Sequence, residues 1–209
     1  LNAVSAALEI GEKIEVLVAG KDCQNVVEQA SQIEGVSNVL HADNVSYEHG
    51  LAENLALLIA GVGNSFSHIL ATATTSSKNI MPRAAALLDM QAISDITAIL
   101  DPDTFERPIY AGSMIATIQS SDSIKVMTIR GTAFDAAQSS GGSADIETID
   151  AIHDSQISSF ISEEVAESDR PELTAATTIV SGGRALGSEE NFAMIYQLAD
   201  RLGAAVGAS

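Results

Sequence analysis

The amino-acid sequence predicts an α/β protein: a mostly parallel sheet flanked by helices, an antiparallel meander, and the first β-α unit of a second α/β domain. Three observations lead to this prediction. Apolar runs of strand length alternate with amphipathic helical segments in the first part of the chain, and short apolar segments separated only by turns then follow. The strand-helix alternation restarts after a polar, proline-containing stretch.

The first part of the chain alternates helices and strands. Helices are expected over residues 1–10, 23–32, 51–62 and 79–90, and strands over 14–19, 36–41 and 68–71. The helix over 51–62 is the clearest, because apolar residues recur in it at intervals of three or four. Since a helix in first position of an α/β chain often follows a strand, we expect a further strand ahead of Leu1.

The middle of the chain contains strands in succession. Apolar segments cover residues 96–100, 105–110, 114–119 and 124–129, with turn-forming residues between them. A strand over 146–152 and a helix over 156–167 then complete a first domain, which we place at residues 1–167. Residues 168–173 read as a linker, and residues 174–209 as the truncated start of a second domain, with a strand over 175–180 and a helix over 188–202.

Composition excludes several functions. The formal net charge of -18 would repel a phosphate backbone, so nucleic-acid binding is not expected. No apolar run approaches the length of a membrane-spanning helix. Cys23 is the only cysteine, and the four histidines lie far from it and from one another in sequence, so we expect no metal site. No Ser/His/Asp or Cys/His arrangement stands out, and no catalytic residue is assigned.

The turn at residues 181–188 is the most suggestive chemical feature. Gly182 and Gly183 follow a predicted strand and would let backbone amides approach an anion, while Arg184 adds a planar donor fork. A helix capped by Ser188 would point its positive end at the same place. The turn can also be an ordinary strand-to-helix connection, with glycine for its geometry and a solvated arginine. Spacing alone favours that simpler interpretation, because the turn matches neither a GxGxxG nor a Walker pattern.

Two other segments carry weaker signals. Thr74–Lys78 also joins a strand to a helix and could bind an anion, but hydroxyl capping of the helix is the simpler explanation. Residues 131–135 together with 139–143 form either a partner-contacting loop or a mobile surface loop.

These segments, taken together and in order, resemble the electron transfer flavoprotein α-subunit family. The resemblance rests on TSSKNIMPRAAAL at 75–87, ISDI at 93–96, RPIYAG at 107–112, RGTAFDAA at 130–137, SDRPEL at 168–173, SGGR at 181–184 and AVGAS at 205–209. It implies a heterodimer in which α and β subunits share one FAD. The flavin takes electrons from primary dehydrogenases, such as acyl-CoA dehydrogenases, and passes them to a membrane quinone reductase, without substrate turnover by the protein itself.

The resemblance also assigns residues and a location. In the family's pattern Arg184 and Ser209 contact FAD near its phosphate end, and Gly182 and Gly183 belong to the same turn. The compartment is the bacterial cytoplasm or the mitochondrial matrix. The family begins with a strand ahead of Leu1 and continues beyond Ser209 with further flavin-contacting segments. We therefore expect this chain to be a fragment that binds FAD poorly, since the groups around the isoalloxazine are absent.

Two alternatives stay open on the residues alone. One is an adenine-nucleotide-binding α/β module that uses the strand-helix turns of the first domain, although no glycine-rich phosphate loop follows Val18 or Ala71. The other is a purely structural interaction domain.

Overall fold

The computed structural model describes residues 1–11, 13–164, 169–173 and 175–208 of the chain. The helices are α1 (Asn2–Ile10), α2 (Gln24–Ser31), α3 (Ala52–Gly63), α4 (Thr75–Leu87) and α5 (Ala193–Leu202). The strands are β1 (Ile14–Gly20), β2 (Val36–Asp43), β3 (His68–Thr72), β4 (Ala92–Ile96), β5 (Ala98–Asp101), β6 (Thr104–Ile109), β7 (Met114–Gln119), β8 (Lys125–Ile129), β9 (Asp145–Thr148), β10 (Ile179–Gly182) and β11 (Ala205–Ala208). They fall into two units, Leu1–Phe160 and Ile161–Ser209. The domain limits predicted from sequence, 1–167 and 174–209, stay a prediction.

Parallel and antiparallel sheets coexist in the first unit. Strands β1, β2 and β9 form one parallel sheet, and β3, β8 and β4 form another. Strands β5, β6 and β7 form an antiparallel meander, because only short turns connect them. The predicted fold class, a mostly parallel α/β arrangement with an antiparallel portion, is confirmed.

The helices of the first unit pack on the parallel strands through small and branched side chains. Helix α2 buries Val27 and Ala30, three residues apart, against Val36 and Val39 of β2. Helix α1 buries Ala6 in a separate cluster with Phe105 and residues of β4 and β8. The packing of α2 on β2 fixes where the turn after β1 lies.

A largely apolar cavity of about 430 Å³ lies between α1, β1 and β3. Among the described strands, β1 pairs with β2 alone and β3 with β8 alone, so each has one unpaired edge. The strand expected ahead of Leu1 stays a prediction, and this cavity is a space of suitable character for it.

Two expectations for the first unit need correction. The predicted helix over 156–167 is wrong for residues 156–164, which hold no helix, while residues 165–167 lie outside the described part. Tertiary hydrogen bonds hold this segment instead: Ser155 N–H donates to Asn54 Oδ1 at 2.9 Å and the Ser158 hydroxyl donates to Glu53 Oε2 at 2.8 Å. Strand β4 was also not predicted from the sequence. This strand is irregular, because Asp95 adopts a positive φ of 61° and the pairing with β8 is interrupted there.

In the second unit β10 and β11 form a parallel pair, and α5 packs against both. Gly182 at the end of β10 lies opposite Ala208 at the end of β11. Arg170 makes a two-pronged contact with Asp200 of α5, with Nε–Oδ1 2.7 Å and Nη2–Oδ2 3.1 Å, and stacks on the Tyr196 ring. The hydrogen bonds from Arg170 lower the pKa of Asp200. The segment before β10 is thereby tied to the helix that follows the candidate site.

Candidate functional site

The turn after β10 is compact and is not the start of an α-helix. Residues Arg184–Leu186 form a single 3₁₀ turn, and Gly187 follows in the left-handed conformation with φ 78°. A second 3₁₀ turn at Glu190–Phe192 leads into α5. The helix predicted from Ser188 therefore begins five residues later, at Ala193. Side-chain hydrogen bonds explain the delay, because Asn191 Nδ2 donates to Leu186 O at 2.6 Å and competes with helical pairing.

Ser188 retains part of its predicted role. Its hydroxyl oxygen accepts a long hydrogen bond from Asn191 N–H, at 3.4 Å. This bond caps the second 3₁₀ turn and not α5 itself. A three-residue 3₁₀ turn carries little dipole, so the turn cannot rely on a helix N-terminus for its positive potential.

Gly182 has a packing role that the sequence did not reveal. A Cβ built on it would lie 2.5 Å from Leu186 Cδ1, 3.0 Å from Phe192 Cε2 and 3.1 Å from Ile195 Cγ1. Real Cβ atoms essentially never approach another atom within 3.0 Å. The absence of a side chain at this position lets the turn and the first residues of α5 fold back onto the end of β10.

Arg184 is exposed at the edge of this turn. No described residue accepts a hydrogen bond or an ion pair from its guanidinium. The N–H groups of Arg184 and Ala185 also have no backbone acceptor among the described residues, since the 3₁₀ turn uses only those of Leu186 and Gly187. One guanidinium and two amides thus remain available at one corner. Unsatisfied donors at a turn of this kind can donate hydrogen bonds to the oxygens of a phosphate.

The carboxyl ends of β10 and β11 lie side by side at this corner. Ser181 pairs with Gly207 across the two strands, and a Cβ on Gly207 would lie 3.2 Å from Ser181 Cβ. Ser209, the other residue that the family resemblance assigned to FAD, lies outside the described residues. In parallel α/β sheets, ligands bind in the crevice outside the carboxyl ends of the strands. The arrangement fits a dinucleotide approaching from that side.

A second polar cleft lies in the first unit. Its volume is about 970 Å³, and it lies beyond the carboxyl ends of β3 and β8, with Lys78, Asp95 and Arg130 in its lining. Arg130 is already engaged by Asp95 through both side-chain oxygens. Thr74 Oγ1 accepts a hydrogen bond from Ser77 N–H at 3.1 Å, so the simpler interpretation of Thr74–Lys78, a capped helix, holds. Lys78 is the remaining cation of the cleft.

The loop after β8 is anchored at several points. Phe134 is buried in the cluster beneath α1, and Asn2 Nδ2 donates to its carbonyl oxygen at 2.8 Å. Gly142 N–H donates to Gln32 O at 2.8 Å, and a Cβ on Gly142 would lie only 2.2 Å from Ile33 O. Contact of this loop with a partner stays a prediction.

Comparison with known proteins identifies relatives over both units. The Electron transfer flavoprotein domain model matches residues 1–154, and the Electron transfer flavoprotein FAD-binding domain model matches residues 172–209. No described helix reaches the length and hydropathy that a bilayer-spanning helix requires.

Three curated relatives illustrate the similarity. The chain is 56% identical over 209 residues to the electron transfer flavoprotein subunit alpha of Pseudomonas aeruginosa and 54% identical over 208 residues to that of Paracoccus denitrificans. It is 45% identical over 226 aligned residues to the mitochondrial subunit alpha of Dictyostelium discoideum. All of this chain is covered in each case, together with 68%, 67% and 63% of the respective relative. The chain therefore spans about two thirds of the length of these relatives.

Proposed function

Because the chain belongs to the electron transfer flavoprotein α-subunit family, we propose that it acts as the α-subunit of an FAD-dependent electron carrier. The FAD supplies the redox chemistry when bound, and the residues of this chain bind and orient it. No described residue is assigned as an acid, base or nucleophile. The protein would carry electrons without turning over a substrate of its own.

The observation that carries the proposal is the exposed Arg184 beside two backbone amides at the end of β10, none of which has a hydrogen-bond partner among the described residues. A guanidinium and backbone N–H groups together suit the two phosphates in the middle of a dinucleotide. Gly183 precedes the 3₁₀ turn in an extended conformation. Gly182 supports the corner by allowing it to fold. The family resemblance assigns Ser209 to the same phosphates.

The partners follow from the same premise. The β-subunit would complete the flavin site, and primary flavin dehydrogenases, acyl-CoA dehydrogenases among them, would donate electrons. A membrane quinone reductase would accept them. The bacterial cytoplasm or the mitochondrial matrix is the expected compartment, and relatives from bacteria and mitochondria are both known. Residues 1–209 alone would hold FAD weakly, since in the family further contacts come from other segments.

Flavin affinity of the full-length α chain, co-expressed with its β-subunit, tests the role of Arg184. We expect Arg184→Ala to raise the dissociation constant of FAD by about 10- to 150-fold, because a charge-assisted hydrogen bond contributes about 1.5–3 kcal/mol. Arg201→Ala, in the last turn of α5, is the matched control and removes the same charge. Equal affinities in wild type and Arg184→Ala would refute the assignment.

One observation supports a second candidate, an adenine-nucleotide-binding module. The cleft of about 970 Å³ contains Lys78 and lies where nucleotides bind in parallel α/β sheets. The pairing of Arg130 with Asp95 counts against it, because a phosphate would have to displace that carboxylate. Calorimetry with ATP and AMP on this chain separates the two: tight binding favours the module. A chain that binds the β-subunit but no flavin or nucleotide would instead be a structural interaction domain.

A further inference from the structure

Three side chains that are separated in sequence meet at the carboxyl end of the sheet formed by β1, β2 and β9. Val18 pairs with His41 and Gly20 pairs with Asp43 in the parallel register of β1 and β2. His41 and Asp43 are two residues apart in one strand, so they share a face with Val39, the face that α2 covers. Cys23 is the N-cap of α2 and is largely buried. The fold therefore brings a thiol, an imidazole and a carboxylate together.

The distances within this cluster are those of a metal-ligand set. Cys23 Sγ lies 3.4 Å from His41 Nε2 and 3.9 Å from Asp43 Oδ2, and His41 Nε2 lies 3.5 Å from Asp43 Oδ2. A tetrahedral zinc ion with bonds of about 2.3 Å to sulfur and about 2.1 Å to nitrogen and oxygen separates its ligand atoms by about 3.4–3.6 Å. The three distances agree with these values to within a few tenths of an ångström.

Hydrogen bonding explains only part of the cluster. The distance of 3.4 Å from Cys23 Sγ to His41 Nε2 suits a hydrogen bond, but the distance of 3.5 Å from His41 Nε2 to Asp43 Oδ2 is long for one. A single atom, His41 Nε2, also faces both neighbours, and it either carries a proton to donate or offers a lone pair. A cation among the three atoms would satisfy all of them at once.

The surrounding backbone holds the ligands in place. Asp22 N–H donates to Asp43 Oδ1 at 3.0 Å, and Cys23 N–H donates to Asp43 Oδ2 at 3.1 Å. Asp22 adopts the left-handed conformation, with φ 52°, that turns the chain toward this carboxylate. Gly20 leaves room for the thiol, since a Cβ there would lie 3.2 Å from Cys23 Cβ. Such outer contacts are typical of sites that are formed before the metal arrives.

We propose that Cys23, His41 and Asp43 form a binding site for a divalent transition-metal ion of the Zn²⁺ class. Thiolate, imidazole and carboxylate are the ligands that zinc prefers. The His41 side chain is 9% exposed and the Asp43 side chain 34% exposed, so solvent reaches one side of the cluster. Three protein ligands with one solvent-facing side leave a fourth position for water. The site is independent of the flavin role proposed above.

Cobalt and zinc titrations of the protein without a histidine tag test the site. Metal-free protein should bind one equivalent of Co²⁺ with a thiolate-to-cobalt charge-transfer band and intense visible bands of four-coordinate geometry, and Zn²⁺ should displace it. We expect Cys23→Ser to lose the charge-transfer band and to bind Co²⁺ at least ~10-fold more weakly than the wild type. His41→Gln should also bind Co²⁺ at least ~10-fold more weakly. His68→Gln, on β3 of the other parallel sheet, is the control and should bind as the wild type does.

A measurement on the wild-type chain tests the site even if the variants fail to fold. One equivalent of Zn²⁺ should slow alkylation of Cys23 at least ~10-fold, because a metal-bound thiolate is withdrawn from reaction. Absence of cobalt bands at millimolar metal, a charge-transfer band that persists in Cys23→Ser, or an alkylation rate unaffected by Zn²⁺ would each overturn the proposal.

Discussion

Gly182→Ala provides a direct test of the packing at the candidate flavin corner. The added methyl group would meet Leu186, Phe192 and Ile195 at 2.5, 3.0 and 3.1 Å. Rotation of the Leu186 side chain could relieve the shortest contact. The other two come from the side chains of Phe192, in the turn before α5, and Ile195, in α5, so relief of all three requires these side chains or the helix that carries them to shift away from β10.

The expected cost follows from these contacts. Overpacking of this kind destabilises by about 1–3 kcal/mol. Alanine also restricts the unfolded chain more than glycine does, and this stabilises the folded state by about 0.4–1 kcal/mol. The free energy of unfolding therefore still decreases, by an amount near the lower half of the range for overpacking. Gly207→Ala is a graded comparison on the neighbouring strand, because its closest contact is 3.2 Å and the next is 3.5 Å. It should cost less than Gly182→Ala.

Hydrogen exchange measured by mass spectrometry is the suitable assay, since a chain of two units need not unfold in one step. A net loss of about 1–2 kcal/mol makes the protected amides of α5 exchange about 5- to 30-fold faster. Unchanged protection of α5 in Gly182→Ala, or a larger loss in Gly207→Ala, would refute the packing argument. If flavin affinity fell while protection stayed intact, Gly182 would contact the cofactor directly.

Two further predictions concern the first unit. Tyr47 is buried, donates to Ala151 O at 2.6 Å and accepts from His153 N–H at 3.1 Å, so Tyr47→Phe should cost about 1–2 kcal/mol in thermal or urea unfolding, whereas exposed Tyr110→Phe should cost nothing measurable. Burial raises the pKa of Tyr47, so its contribution is complete below the unfolded-state pKa of about 10 and is lost as pH rises toward the folded-state pKa. Tyr47→Phe should flatten the alkaline limb of the stability profile, and an unchanged limb would contradict this. Extension of the chain by an apolar strand ahead of Leu1 should fill the cavity between β1 and β3, raise the melting temperature and slow amide exchange in both strands; equal exchange rates would argue against that placement.

The sequence predicted elements whose burial follows a simple period. Strands β1, β2 and β3 and helix α3 lie within a few residues of their predicted positions, because continuous apolar runs and a three-to-four-residue repeat report burial directly. The segment after residue 155 misled the prediction, because its conformation depends on hydrogen bonds to Asn54 and Glu53, about a hundred residues away in sequence. Local composition contains no trace of such contacts.

The metal-ligand cluster could not have been predicted for a different reason. Cys23 and His41 are 18 residues apart, and only the parallel register of β1 and β2 makes them neighbours. A one-residue slip of that register would turn His41 to the other face of the sheet. The two-residue spacing of His41 and Asp43 was the one visible signal, and it became meaningful only once α2 was known to cover their face.

The late start of α5 changes what Arg184 must do. A helix beginning at Ser188 would have contributed its dipole to a bound phosphate, but the field of a helix is largely confined to its own first turn, and α5 begins at Ala193. The positive charge at the corner therefore resides on Arg184. Arg184→Lys keeps this charge but loses the planar fork. If two phosphate oxygens are held side by side, we expect lysine to recover only part of the affinity lost in Arg184→Ala, and the recovered part to vanish at high salt because a single exposed charge is screened. Full recovery by lysine would mean that charge alone matters and that the fork makes no paired contact.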